Sequence, residues 1–240
     1  MKKRVLVLAM IGTLGLSLFA CGSNEATATK ETTETTEAQV ETASEDEEDT
    51  KSEAPSEDLE ENTISFIKQA AEDCAPSIDF SDCATFTEML NKGKVTAGMG
   101  YANEKVGETD CFFVTSGTYD NLDGNMAGID ATIFVYEDGA IKEIGKICSG
   151  GTAYPIAIQG DYIYTASNHW VCKYVIENNT LLLKEKASVI YDTEGNGTYF
   201  YESEENKETV MDTAEAEKLM TTLYEEMGNA QVIGFQPVTK

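Results

Sequence analysis

The chain has 240 residues, 43 of them acidic and 17 basic, for a formal net charge of −26, and its single histidine is His169. A nucleic-acid surface needs clustered Lys and Arg to displace counterions, so a balance this negative excludes nucleic acid as a partner. One imidazole likewise excludes a zinc site built on several histidines.

The first element is an address. Met1-Lys2-Lys3-Arg4 is basic, and Val5 to Phe19 is apolar but broken by Gly12, Gly15 and Ser17. The run is shorter than the ~20 apolar residues that span hydrocarbon. A basic start, a short apolar stretch and a small residue before the cut describe a secretory signal over residues 1–20. Leu18-Phe19-Ala20-Cys21 resembles the lipobox of bacterial lipoproteins. That resemblance implies cleavage before Cys21, a diacylglyceryl group on its sulfur and an acyl chain on its amine. Two or more chains, at about 0.8 kcal/mol per buried CH2, anchor a protein stably to a membrane.

Residues 21–62 read as the lipidated Cys21 and a tether. Between Gly22 and Asn62 there are 15 acidic and two basic residues among Thr, Ala and Ser, a composition too polar and too charged to bury a core. A flexible chain of that length spans roughly 35 Å on average, and self-repulsion lengthens it.

Residues 63–240 read as a single α+β domain. Ile64, Ile67, Ala71 and Cys74 fall on one helical face that ends at Pro76. Asp82 is placed to cap a short helix carrying Phe86, Met89 and Leu90, with Gly93 just beyond it. The period then changes to two. Strands are expected at Val95–Tyr101, Cys111–Thr115, Ala131–Tyr136, Ala140–Ile147, Tyr154–Ile158, Tyr162–Ala166, Trp170–Ile176, Leu181–Tyr191 and Thr198–Tyr201. Glu137-Asp138-Gly139, Gly160-Asp161, Asn178-Asn179 and Glu194-Gly195-Asn196-Gly197 are favourable turns between them. Asp212 and Glu215 open a last helix with the stripe Ala216, Leu219, Met220, Leu223 and Met227. Short turns mean a meander. The expected architecture is one curved antiparallel sheet of about seven to nine strands, with N-terminal helices and one C-terminal helix on one of its faces. Val95 to Tyr201 is too short for the four blades of ~40 residues that a propeller requires.

Few residues announce chemistry. No Gly-x-Ser-x-Gly elbow is present, and Ser149-Gly150-Gly151 lacks its flanks. His169 and Trp170 sit between two strands, and Tyr162 and Tyr164 share one strand face, so these four form the candidate ligand surface for a sugar, a peptide or another small extracellular ligand. Asp192, Glu194 and Asn196 place oxygens at positions one, three and five of a loop before Gly197, the start of a calcium-loop pattern. Ser203 occupies position twelve in place of a bidentate Glu, so the calcium pattern is incomplete, and no cofactor other than calcium is implied. Of the five cysteines left after Cys21, Cys74 and Cys83 flank an interhelical turn and are the candidate disulfide.

The stretches Tyr162-Ile163-Tyr164-Thr165-Ala166-Ser167-Asn168-His169-Trp170 and Val189-Ile190-Tyr191-Asp192-Thr193-Glu194-Gly195-Asn196-Gly197-Thr198-Tyr199-Phe200-Tyr201 resemble surface lipoproteins of clostridia-like bacteria. The resemblance implies a sheet meander ending in a helix and a last strand, here Asp212–Met227 and Gln231–Gln236. It also implies a location on the outer face of a Gram-positive membrane and brings no activity with it. The expectation is therefore a lipid-anchored, non-enzymatic extracellular module that binds a small ligand or a protein partner. The alternatives are a carboxylate-dependent envelope hydrolase and a spacer without ligand. Replacing Cys21 by Ser is expected to move the protein from the membrane fraction to the soluble fraction of the producing cell. Unchanged membrane partition of that variant would overturn the anchor.

Overall fold

The computed structural model describes residues 70–203 and 212–240, all within one unit, Ser52–Lys240. The expected signal segment, Cys21, the expected tether, and Ile64 and Ile67 of the first expected helix lie outside the described residues.

Two antiparallel sheets carry the fold. The first holds β1 (Gly100–Val106), β2 (Thr109–Thr115), β5 (Asp130–Glu137), β6 (Ala140–Cys148) and β13 (Gln236–Pro237), in the order β13-β1-β2-β5-β6. The second holds β7 (Ala157–Gln159), β8 (Tyr162–Ala166), β9 (Trp170–Glu177), β10 (Thr180–Tyr191), β11 (Gly197–Ser203) and β12 (Gln231–Val232), in the order β11-β10-β9-β8-β7-β12. A small ribbon, β3 (Tyr119–Asp120) with β4 (Met126–Ala127), completes the strands among the described residues.

The antiparallel α+β character agrees with the sequence pattern, but the single sheet does not. Side chains alternate across each strand, so each sheet has two faces to cover. Phe113, Ile133, Val135 and Ile147 of the first sheet meet Ile163, Trp170, Cys172 and Tyr174 of the second in one shared core. The strands break into two layers because both faces of each sheet carry apolar residues, which one layer of helix cannot cover. The helices then take opposite outer faces rather than one. Segment 76–95, with α1 (Phe86–Asn91), packs Ile78, Met89 and Val95 on Phe112, Val114 and Phe134. The Phe86 ring stacks on Phe112 at 4.7 Å, and Phe80 meets Phe134 edge-on at 5.3 Å. On the far side α2 (Thr213–Asn229) lays Met220, Leu223 and Met227 on Tyr164, Val171, Ala187 and Val189.

Local signals explain the helix ends. Asp212 Oδ1 accepts the Ala214 amide at 2.9 Å and starts α2. Thr85, not Asp82, caps α1: its Oγ1 accepts the Glu88 amide at 3.2 Å, and the Glu88 carboxylate accepts the Ala84 amide at 2.8 Å. Asp82 instead binds Lys94 at 2.8 Å. The strand expected from Val95 begins only at Gly100, because Gly98 at φ +95° and the Met99 amide bonded to Thr96 turn the backbone there. In the other direction, β1 runs on through polar Asn103 and Lys105, which point outward while Ala102 and Val106 are buried.

The C-terminal segment ties the layers together. After α2, β12 adds to β7 and β13 adds to β1, so the short segment Gln231–Pro237 pairs with the edges of both sheets. Between them, Ile233 and Phe235 enter the inter-sheet core, and their amides donate to Ile156 O at 3.0 Å and Met126 O at 2.8 Å. At the opposite tips, the Gly107 amide of the β1–β2 turn donates to Gly160 O of the β7–β8 turn at 2.8 Å. Gly107 has φ +59°, and a Cβ there would strike the Asp161 carboxylate.

Beneath α2 lies a charge network. Lys173 Nζ is 2.8 Å from Glu226 and 3.1 Å from Glu185, and lies 4.4 Å from the Tyr162 ring centroid. The Tyr164 hydroxyl donates to Glu226 at 3.0 Å and that of Tyr201 to Glu185 at 2.8 Å. Burial pulls the Lys173 ammonium down, but the bonds to Glu226 and Glu185 more than offset this and hold it above the ordinary lysine value. Lys173→Met leaves two carboxylates facing each other under the helix. The expected loss is roughly 2–4 kcal/mol, between that of an exposed and a fully buried pair. Urea unfolding measures it, and a loss within 0.5 kcal/mol, the ordinary range for a surface substitution, would show that the network is ornamental.

Candidate functional site

Among the described residues, an apolar concavity of about 810 Å³ opens where β6 and β8 end. Its walls come from five stretches that are remote in sequence: the helical turn at 70–74, Ile129 just before β5, the end of β6 with the Ser149-Gly150-Gly151 loop, the β8–β9 hairpin tip, and the far end of β10. Ile129, Trp170, Val189 and Ile190 supply most of the apolar lining, with Cys74, Cys148, Ser167, Ser188 and His169 as the groups able to hydrogen-bond.

Each wall is held for a local reason. The Gly150 amide donates to Ala166 O at 2.8 Å, and a Cβ on Gly150 would fall 2.4 Å from Ser167 Cβ, so the loop passes only as glycine. Buried Ser149 donates its amide to Ile129 O at 2.6 Å, and its Oγ accepts the Ala166 amide at 3.3 Å. At the hairpin tip, Ser167 Oγ accepts the His169 amide at 3.0 Å, and His169 O accepts the Val189 amide at 2.9 Å. Tyr224 reaches up from α2 and donates its hydroxyl to Ser167 O and Trp170 O, while Tyr154 donates to Asn168 Oδ1 at 2.9 Å. These bonds leave the His169 ring exposed at the rim, edge-on to Tyr191 at 5.6 Å.

The four residues expected to form a ligand surface separate onto two sides of the second sheet. His169 and Trp170 reach the cavity, although Trp170 is 7% exposed and belongs mostly to the inter-sheet core. Tyr162 and Tyr164 point the other way, toward α2, where Tyr164 is 1% exposed and its hydroxyl is committed to Glu226. Burial pushes that hydroxyl well above the usual phenol value. Asp192, Glu194 and Asn196 lie in the β10–β11 loop. There Asp192 Oδ1 accepts the Glu194 and Asn196 amides at 2.9 and 2.8 Å, and Oδ2 accepts Asn196 Nδ2 at 2.9 Å. The Asn196 bonds hold the Asp192 carboxyl below the usual range. Its lone pairs serve the loop itself, and no group of three His, Cys, Asp or Glu arranged for a metal occurs among the described residues.

Cys83 lies beside Asp82, with Sγ 3.5 Å from its carboxylate, and the cysteine that shares the cavity wall with Cys74 is Cys148. Sequence reasoning missed Cys148, Ile129 and Ser188 as wall residues. The only local signal was the Ser149-Gly150-Gly151 run at a strand end.

Behind Cys148 on the neighbouring strand sits Asp130, 3% exposed. Its carboxylate accepts the Ser116 amide at 2.7 Å, the Ser116 hydroxyl, and Thr115 Oγ1 at 3.4 Å. Burial nonetheless raises its affinity for a proton above that of an ordinary Asp.

Compared with known proteins, the chain matches no family model, no curated protein and no solved structure.

Asp130 sets a pH signature. Its folded-state pKa lies above its unfolded value, so between the two the folded protein binds more protons and stability falls as pH rises. Asp130→Asn removes that contribution. The variant is therefore expected to gain thermal stability relative to wild type as pH rises from about 4 toward neutrality. A difference in midpoint that stays flat over that range would contradict it.

Proposed function

We propose that this protein is a lipid-anchored extracellular binding module of the bacterial cell surface, held by acylated Cys21 and set off from the membrane by the tether 22–62. The observation that carries the binding reading is the cavity of about 810 Å³ at the end of the two-sheet core. It has the size and apolar walls of a small-molecule site and a few convergent polar groups. Trp170, Ile129 and Ile190 offer an apolar surface, and His169 at the rim with Ser167 and Ser188 supplies donors and acceptors. The ligand class this chemistry suits is a compact molecule with one apolar or ring face and a polar end. Among the described residues no Asp or Glu lines the cavity, which favours this reading over hydrolysis by a pair of carboxylates flanking a glycosidic bond. No described helix is long and apolar enough to cross a membrane, so attachment in this reading rests on Cys21.

Thermal unfolding against oligosaccharides, wall fragments, short peptides, apolar small molecules and calcium tests it. A ligand at a hundred times its dissociation constant adds about 2.7 kcal/mol, a rise of roughly 5–10 °C for a domain of this size. The rise is expected with one organic class, diminished in His169→Ala and kept in Asp192→Ala. A rise with calcium alone, lost in Asp192→Ala, would move the site to the β10–β11 loop. No shift across the panel would overturn the small-ligand reading and leave a protein partner or a spacer.

A further inference from the structure

Two thiols meet in the cavity wall. Cys74 closes the helical turn at 70–74 and is exposed, while Cys148 ends β6 and is buried with its thiol donating to Ser149 O at 3.3 Å, yet both line the same cavity wall. The chain after Cys74 is pinned to the first sheet around this point. Lys146 Nζ binds Glu72 at 2.9 Å and Ser77 Oγ at 3.2 Å, Thr132 Oγ1 donates to Pro76 O, and Ala75 and Ile78 are buried. The chain on both sides of Cys74 is therefore held against the strands beside Cys148. The remaining described cysteines have no such partner: Cys111 and Cys172 are buried thiols pushed up to about 12 by desolvation, and Cys83 lies against Asp82.

We infer that Cys74 and Cys148 are a disulfide-forming pair that locks the N-terminal strap onto β6 at the wall of the cavity. The co-reactant is a disulfide of the oxidising extracellular compartment, either a small-molecule disulfide or the active-site disulfide of a thiol oxidase. Exposed Cys74, as thiolate, attacks one sulfur of the incoming disulfide. A Cys74 Sγ–S bond forms, the S–S bond breaks, and the first departing thiolate takes up the proton that Cys74 lost. Cys148 Sγ then attacks Cys74 Sγ, the second thiolate leaves, and the Cys148 proton passes to it. The chain is oxidised by two electrons, and one disulfide is reduced to two thiols. Burial holds the Cys148 thiol protonated, so Cys74 reacts first and Cys148 resolves. Bond formation brings the two sulfurs to the ~2.0 Å of a disulfide.

The test is thiol mapping of the full-length protein, reduced and then exposed to oxidised glutathione, alkylated and digested without reductant. The expected product is a linked peptide containing Cys74 and Cys148, lost in Cys74→Ser and kept in Cys83→Ser. The oxidised form is expected to unfold several degrees above the reduced form, with the difference absent in Cys74→Ser, a variant at an exposed position that leaves the core intact. A dominant Cys74–Cys83 peptide, glutathione retained on Cys74, or thiols that all remain free would each overturn the inference. The mapping reads the bond whether or not any compound shifts the unfolding midpoint, so it stands apart from the ligand reading.

Discussion

The fold rests on a single packing constraint: the alternate residues of two antiparallel sheets must be buried against each other. Phe113, Ile133 and Val135 point inward from the first sheet because their strand neighbours Phe112, Val114 and Phe134 point outward. The same alternation in β9 sends Trp170, Cys172 and Tyr174 inward and Val171 and Lys173 outward. Once the inner faces are joined, each outer face needs its own cover, and the two helical segments take one each. A one-residue slip in any ladder would exchange the two faces and break every layer at once.

The closing strap Gln231–Pro237 depends on that arrangement and reinforces it. Its two short pairings would be marginal in isolation. They persist because Ile233 and Phe235 are buried between the sheets, where their amides find carbonyl partners. The exposed edge of one sheet and that of the other are thereby both partly covered, which removes sites for unwanted strand addition.

The same constraint makes the cavity. Where β6 stops at Cys148 while β10 continues to Tyr191, the layers no longer cover each other fully, and the gap is walled by a glycine loop, a hairpin tip and the strap from residue 70. Polar groups in this neighbourhood are almost all committed to holding backbone in place, as with Ser149 to Ala166, Ser167 to His169 and Tyr224 to the hairpin. The exposed His169 ring and the thiol pair are the reactive or adaptable groups that remain at the wall. Charge is handled elsewhere. Lys173 gathers two carboxylates beneath α2, and Lys186, only 2% exposed, stands 3.5 Å from Glu202 on the inner side of the second sheet. A strongly acidic chain thus spends two of its few lysines inside the fold.

Much of the domain was legible in one dimension. Strand alternation, the Asp138-Gly139 and Asn178-Asn179 turns with positive φ, and the Asp212 start of α2 are determined by neighbours within a few residues. What only the tertiary structure decided is which face meets which. Period two says that Tyr162 and Tyr164 share a side, but not that α2 lies over it and turns them from a ligand platform into the surroundings of Lys173. Spacing pairs Cys74 with Cys83 because they are close in sequence. The packed sheets bring Cys74 to Cys148 because β6 ends beneath the strap. Pairings between remote segments are set by how two surfaces bury area together, and that is a property of the assembled layers that no local pattern records.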